Sequence, residues 1–183
     1  VSIHPGEGKG KLINAIHVIN EILSLLPKNQ TPYDSEGKQG FYHITNLSGT
    51  SEEMSAHIIV RDFNMDSMKN RLLVIENSVE ETRKKYPMLE IACNTKMQYE
   101  NMFTYVEKRP EVIENAKQAL IKNGLTPVLG AIRGGTDGAT FSKNGLITPN
   151  LGTGSYNHHG RYEFLDIQEF ETMIKVVIDL VKN

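Results

Sequence analysis

Residues 40–63 read GFYHITNLSGTSEEMSAHIIVRDF. Gly40 to Leu47 and Met54 to Phe63 are rich in β-branched and aromatic side chains, with Ser48-Gly49-Thr50-Ser51 between them. Two such runs divided by turn formers predict an antiparallel hairpin. Outward in both directions the period changes. Upstream, Leu12, Ile16, Ile19, Leu23 and Leu26 recur at helical spacing within Lys9–Leu26, and Pro27 ends the run. Downstream, Asn64 stands at the cap of a helix whose Met68, Leu72, Ile75 and Val79 share one face before Pro87. Met88 to Met97 reads as another strand. The order is helix, strand, strand, helix, strand. Val1-Ser2-Ile3 reads as the end of a strand. With a strand supplied before Val1, this order makes a split βαβ sandwich, its first strand missing from the chain.

Beyond Tyr99–Pro110 the character shifts. Pro110 suits the first turn of a helix carrying Val112, Ala116, Ala119 and Leu120, which Asn123-Gly124 stops. A short apolar strand, Val128 to Ile132, is expected to run into a glycine-rich turn. A polar loop over residues 152–162 precedes a last helix with a capping-box pattern, Asp166 with Glu169, and a stripe of Ile167, Phe170, Ile174, Val177 and Val181. The expected class is α/β: an α+β first domain with an antiparallel sheet, then an α/β part.

Composition narrows the function classes. With 39% apolar and 23% charged residues the chain is globular rather than disordered. A formal net charge of -2 gives no basic stripe for nucleic acid. The single cysteine, Cys93, excludes an internal disulfide and a cysteine-rich zinc site, and suits a reducing cytoplasm. No apolar run nears the roughly 20 residues of a membrane helix, and no leader pattern opens the chain, so the expected compartment is the cytoplasm.

Three clusters carry chemistry. His4-Pro5-Gly6-Glu7-Gly8-Lys9-Gly10-Lys11 brings glycines and lysines toward a helix, as anion sites do. The phosphate-loop spacing is not met, however, and neither lysine precedes Ser or Thr. Arg133-Gly134-Gly135-Thr136-Asp137-Gly138 follows the expected strand. Its glycines allow close backbone approach, and Arg133 suits a two-pronged bond to a carboxylate. The bland alternative is a structural turn with Asp137 at a helix N-terminus. Asn157-His158-His159-Gly160 offers imidazole, the commonest metal ligand, but adjacent side chains point apart and at most one reaches a given ion. Arg61-Asp62, closing the second strand of the hairpin, reads equally as a surface ion pair of little worth.

Taken together, Ser2-Ile3-His4-Pro5-Gly6, Gly40-Phe41-Tyr42-His43, Ile59-Val60-Arg61-Asp62-Phe63, Arg133-Gly134-Gly135-Thr136-Asp137-Gly138 and Asn157-His158-His159-Gly160 resemble the peptidase T family of aminotripeptidases, within the two-zinc exopeptidases. Their order and spacing fit along essentially the whole chain. The resemblance implies a lid and dimerisation domain over residues 1–105 and the C-terminal portion of a catalytic domain over 106–183. It implies that His159 is the last zinc ligand. His4 would reach across a homodimer and stabilise the oxyanion in the partner's site. Arg61 and Arg133 would hold the carboxylate end of a tripeptide, with Asn157 and Thr136 shaping that pocket. His158 departs from the family pattern, standing where an apolar aromatic residue is expected, and of the two histidines the Gly160 register favours His159 as the ligand.

Such enzymes use two zinc ions to polarise the scissile carbonyl and activate water, and a glutamate to move the proton. The family's histidine–x–aspartate motif, its paired glutamates and its other aspartate ligand are absent from these 183 residues. A catalytic zinc normally takes three protein ligands. The expectation is weak zinc binding and no peptide hydrolysis by this chain alone. An alternative from another class is a non-catalytic dimerisation or interaction module, an inactive remnant of such an enzyme. A third is a small-anion binder using Arg133 without metal.

Overall fold

The computed structural model describes residues 2–182, which divide into two compact units between Lys96 and Met97. The architecture is α/β, helices with two small antiparallel sheets.

In the first unit the hairpin forms as the sequence predicts. Strand β1 (Phe41–Gly49) pairs antiparallel with β2 (Met54–Arg61), with Phe41 opposite Arg61 and Tyr42 opposite Val60. The register shifts between Ile44 and Asn46. Thr45 there bonds across the strands, its Oγ1 lying 2.6 Å from His57 Nδ1 and donating to the His57 carbonyl at 3.2 Å. Two helices, α1 (Ala15–Ser24) and α2 (Met65–Lys85), pack with the hairpin. Their core is Val18, Ile22, Leu26, Tyr42 and Val79, all buried.

Helix α1 begins at Ala15, not near Lys9. Gly10 has φ +71, outside the helical region, and Asn14 is extended while its side chain accepts from Ile16 N. That cap marks the start, because the residue before the first helical turn must leave helical dihedrals. Helix α2 starts where Asn64 predicts, the Asn64 side chain accepting from Asp66 N and Ser67 N at 2.9 and 3.0 Å.

Met88 to Met97 is not a strand. A strand exists through its ladder, and here Arg83 Nε takes the Ile91 carbonyl at 2.9 Å instead. Ser2 and Ile3 form no strand, and Val1 lies outside the described residues.

In the second unit, α3 (Phe103–Val106), α4 (Pro110–Lys122), α5 (Asp137–Lys143) and α6 (Ile167–Lys182) surround Val106, Ala116, Ala119, Ala139, Ser142 and Val176. Asp179 on α6 accepts from Lys122 and Asn123 at the end of α4, at 2.8 and 2.9 Å. The expected strand Val128–Ile132 is also not formed. Val128 is 87% exposed and Leu129 69%, so the apolar run has strand composition but no pairing partner among the described residues. Short strands β3 (Ser155–Tyr156) and β4 (Phe164–Leu165) clasp the histidine loop, their Tyr156 and Phe164 rings stacked at 5.1 Å.

Candidate functional site

Each singled-out side chain has a place. His4 caps the 3-10 turn Pro5–Glu7, its Nδ1 accepting from Gly6 N at 3.2 Å. With Nδ1 accepting, a neutral imidazole carries its proton on Nε2, as a donor on an exposed ring.

Arg61 closes β2, and its Nη1 donates to Val60 O at 3.1 Å. Asp62, one residue on, turns into the unit. Its Oδ2 takes Arg71 Nε at 2.7 Å, and its Oδ1 takes Asn64 N at 3.0 Å. This pair is no surface bridge, since the Asp62 and Arg71 side chains are only 7% and 15% exposed. Arg71 Nη1 further donates to Gln30 Oε1 at 2.6 Å, and Tyr42 OH to Arg71 O at 3.3 Å. The Arg71 guanidinium sits 5.2 Å from the Tyr42 ring centroid, and burial is the main cause raising the Tyr42 hydroxyl pKa.

In the second unit Arg133 is half-buried, and the turn after it leads into α5 with Thr136 at the cap position. Thr136 Oγ1 does not cap the helix but accepts from Asn150 Nδ2 at 3.0 Å. Two glycines of this turn are dictated by close approach. A Cβ on Gly135 would enter the Tyr99 ring, and one on Gly138 would strike the Thr148 carbonyl.

Asn157 and His159 share one turn, at φ +57 and +64. Positive φ is uncommon outside glycine and is most tolerated by Asn, Asp and His. The turn is held from several sides. Asn157 Nδ2 donates to Tyr162 O at 3.2 Å, Gly160 N to Asn157 O at 2.9 Å, and His159 N to Glu163 Oε2 at 3.2 Å. His158 is tied back, its Nε2 lying 2.8 Å from Ser155 Oγ, while the His159 ring is exposed.

Among the described residues, no group of three His, Cys, Asp or Glu is arranged to hold a metal ion. His159 with neighbouring Glu163, whose carboxylate is spent on the His159 backbone, is not a zinc site by itself. Sequence reasoning missed Gln30, Arg71 and Asn150 as partners of the singled-out residues. No local pattern links Arg71 to Asp62 or Asn150 to Thr136, and only the fold brings them together.

Comparison with known proteins gives both a family model and relatives. Residues 1–87 match the family described as Peptidase dimerisation domain (M20_dimer). The particular relatives agree. Over 181 residues the chain is 41% identical to Peptidase T of Caldanaerobacter subterraneus subsp. tengcongensis, covering 99% of this chain and 44% of that protein. It is 37% identical over 182 residues to Peptidase T of Bacillus subtilis, again covering 44% of that protein. Solved structures share the fold. The Bacillus cereus aminopeptidase PepT aligns with a TM-score of 0.63 at 20% identity over 98% of this chain and 48% of that one. A Staphylococcus aureus tripeptidase aligns with a TM-score of 0.65 at 16% identity over the same shares. The chain is homologous to peptidase T along its whole length, and it spans less than half the length of those relatives.

Proposed function

We propose that these residues form the lid, 1–105, and the C-terminal part of the catalytic domain, 106–183, of a zinc-dependent aminotripeptidase of the cytoplasm. What carries this reading is identity of about 40% to peptidase T spread over 99% of the chain rather than confined to one motif. The match to a dimerisation domain over residues 1–87 supports a homodimer formed through the lid. No described helix is long and apolar enough to cross a membrane.

In this reading the substrate is a tripeptide whose N-terminal residue is released. Arg61 and Arg133 fix its carboxylate, since a guanidinium offers paired donors in a planar fork. That would set the length of peptide that fits. Asn157 keeps its Oδ1 and one amide hydrogen for substrate, because the other binds Tyr162 O. Thr136, at the start of α5, helps shape the same pocket. His4 reaches a partner subunit and offers Nε2–H to the oxygen on which charge develops. His159 supplies one metal ligand, and the remaining ligands come from residues outside this chain. Only one being present here, the 183 residues alone bind zinc weakly and do not turn over peptide.

The test is tripeptide hydrolysis by the purified chain, with and without added zinc. It is repeated after adding the portion of a peptidase T relative that lies outside the match. No turnover alone and zinc-dependent turnover on addition is the expected outcome. Turnover by the chain alone would overturn the account of missing ligands. No turnover in either form would favour a non-catalytic dimerisation module.

A further inference from the structure

The observation that points furthest is the buried ion pair behind Arg61. A carboxylate and a guanidinium withdrawn from water are costly unless every lone pair and proton is met. Here several of them are met. Asp62 accepts from Arg71 Nε and from Asn64 N, and Arg71 also donates to Gln30 Oε1. Gln30 in turn takes Tyr42 N through its own carbonyl at 2.8 Å, and the Tyr42 hydroxyl returns to Arg71 O. The ring of contacts therefore joins the loop before β1, β1 itself, the end of β2 and the first half of α2. Gly40 completes it by omission, since a Cβ there would run into Asp62 Oδ2, the Arg61 carbonyl and Arg71 Nε together.

The pair sits at a junction. Asp62 follows the last residue of β2 and accepts the N–H of Asn64, the cap of α2. In extended backbone, successive side chains face opposite ways. Turning Asp62 into the unit therefore turns Arg61 to the other face, beside Phe41, its partner in the register.

We propose that Asp62, Arg71 and Gln30 are positioning residues for Arg61, anchoring its backbone so that the guanidinium meets a substrate carboxylate pre-oriented. This rests on the reading of Arg61 as a carboxylate-binding residue, and it assigns the buried pair a part in substrate binding beyond stability. A structural role alone would lower the amount of folded protein and affect all substrates alike. Loss of Arg61 positioning weakens only substrates that present a carboxylate.

Two measurements separate these. In the 183-residue chain, the backbone amide order parameter of Arg61 is measured by nitrogen relaxation for the parent, Asp62→Asn and the milder Gln30→Ala. The expected result is a fall at Arg61 from the rigid range of about 0.85 toward about 0.6, with the helices unchanged. An Arg61 that stays rigid in both variants overturns the proposal. In the complete enzyme carrying the same substitutions, KM is compared for a tripeptide and its C-terminal amide. The expected result is a rise of about tenfold for the free acid, with kcat and the amide unaffected, and partial recovery in Arg71→Lys relative to Arg71→Met. Equal losses for acid and amide also overturn it. Arg61→Ala serves as the control. If it fails to separate acid from amide, the carboxylate reading of Arg61 is what falls, whatever the order parameters show.

Discussion

A Cβ on Gly40 has nowhere to go. Its dihedrals need no glycine, so the requirement is space, and the atoms it would strike, two from a hydrogen-bonded ion pair and one the Arg61 carbonyl, cannot give way cheaply. Gly40→Ala is therefore expected to destabilise the chain by about 1–3 kcal/mol through overpacking, read as a lower urea midpoint with an unchanged slope. Asn157 and His159 show the opposite case. Both hold positive φ without being glycine, and each is tied by a hydrogen bond, Asn157 through its side chain and His159 through its backbone N–H. Those bonds hold the bent loop in place at a modest backbone cost.

Helix starts are where sequence and structure meet most directly. Asn64 covers two backbone N–H groups of α2, and Asp166 Oδ1 covers Gln168 N and Glu169 N of α6 at 2.9 and 3.0 Å. Replacing either residue by Ala is expected to cost about 1 kcal/mol, read from urea unfolding. The two substitutions should add, since they lie in separate units and share no partner. Helix α5 starts without a side-chain cap, because Thr136 spends its hydroxyl on Asn150.

For the whole molecule, surface charge sets the pH response. The bond from Lys85 holds the Glu21 carboxyl below its usual range, the bonds from Lys143 and then Tyr105 do so for Glu100, and those from Lys122 and Asn123 for Asp179. Each of these groups has a folded pKa below its unfolded one. Their stabilisation is present above the ordinary carboxylate range and is lost as pH falls through the folded values. The urea midpoint should stay level through neutral pH and drop below about pH 4. These groups are exposed, so about 1 M salt should flatten the acid limb. The second unit meanwhile leaves Val128, Leu129, Ile167 and Val181 well exposed.

What the sequence determined by itself was local. The hairpin of residues 40–63, the caps at Asn64 and Asp166, and the helix opening at Pro110 were legible, because alternation, turn chemistry and capping act within a few residues. The RGGTDG and NHHG motifs named the candidate residues, but not what holds them. Met88–Met97 and Val128–Ile132 carry strand composition without forming strands, since a ladder needs a neighbour that composition cannot supply. Tertiary structure alone decided that Asp62 faces inward. Its partner Arg71 lies nine residues on, across a strand-to-helix junction, and Gln30 lies 41 residues from Arg71. A buried charge finds its partners in space, and spacing along the chain records only those within a helical turn or a strand pair.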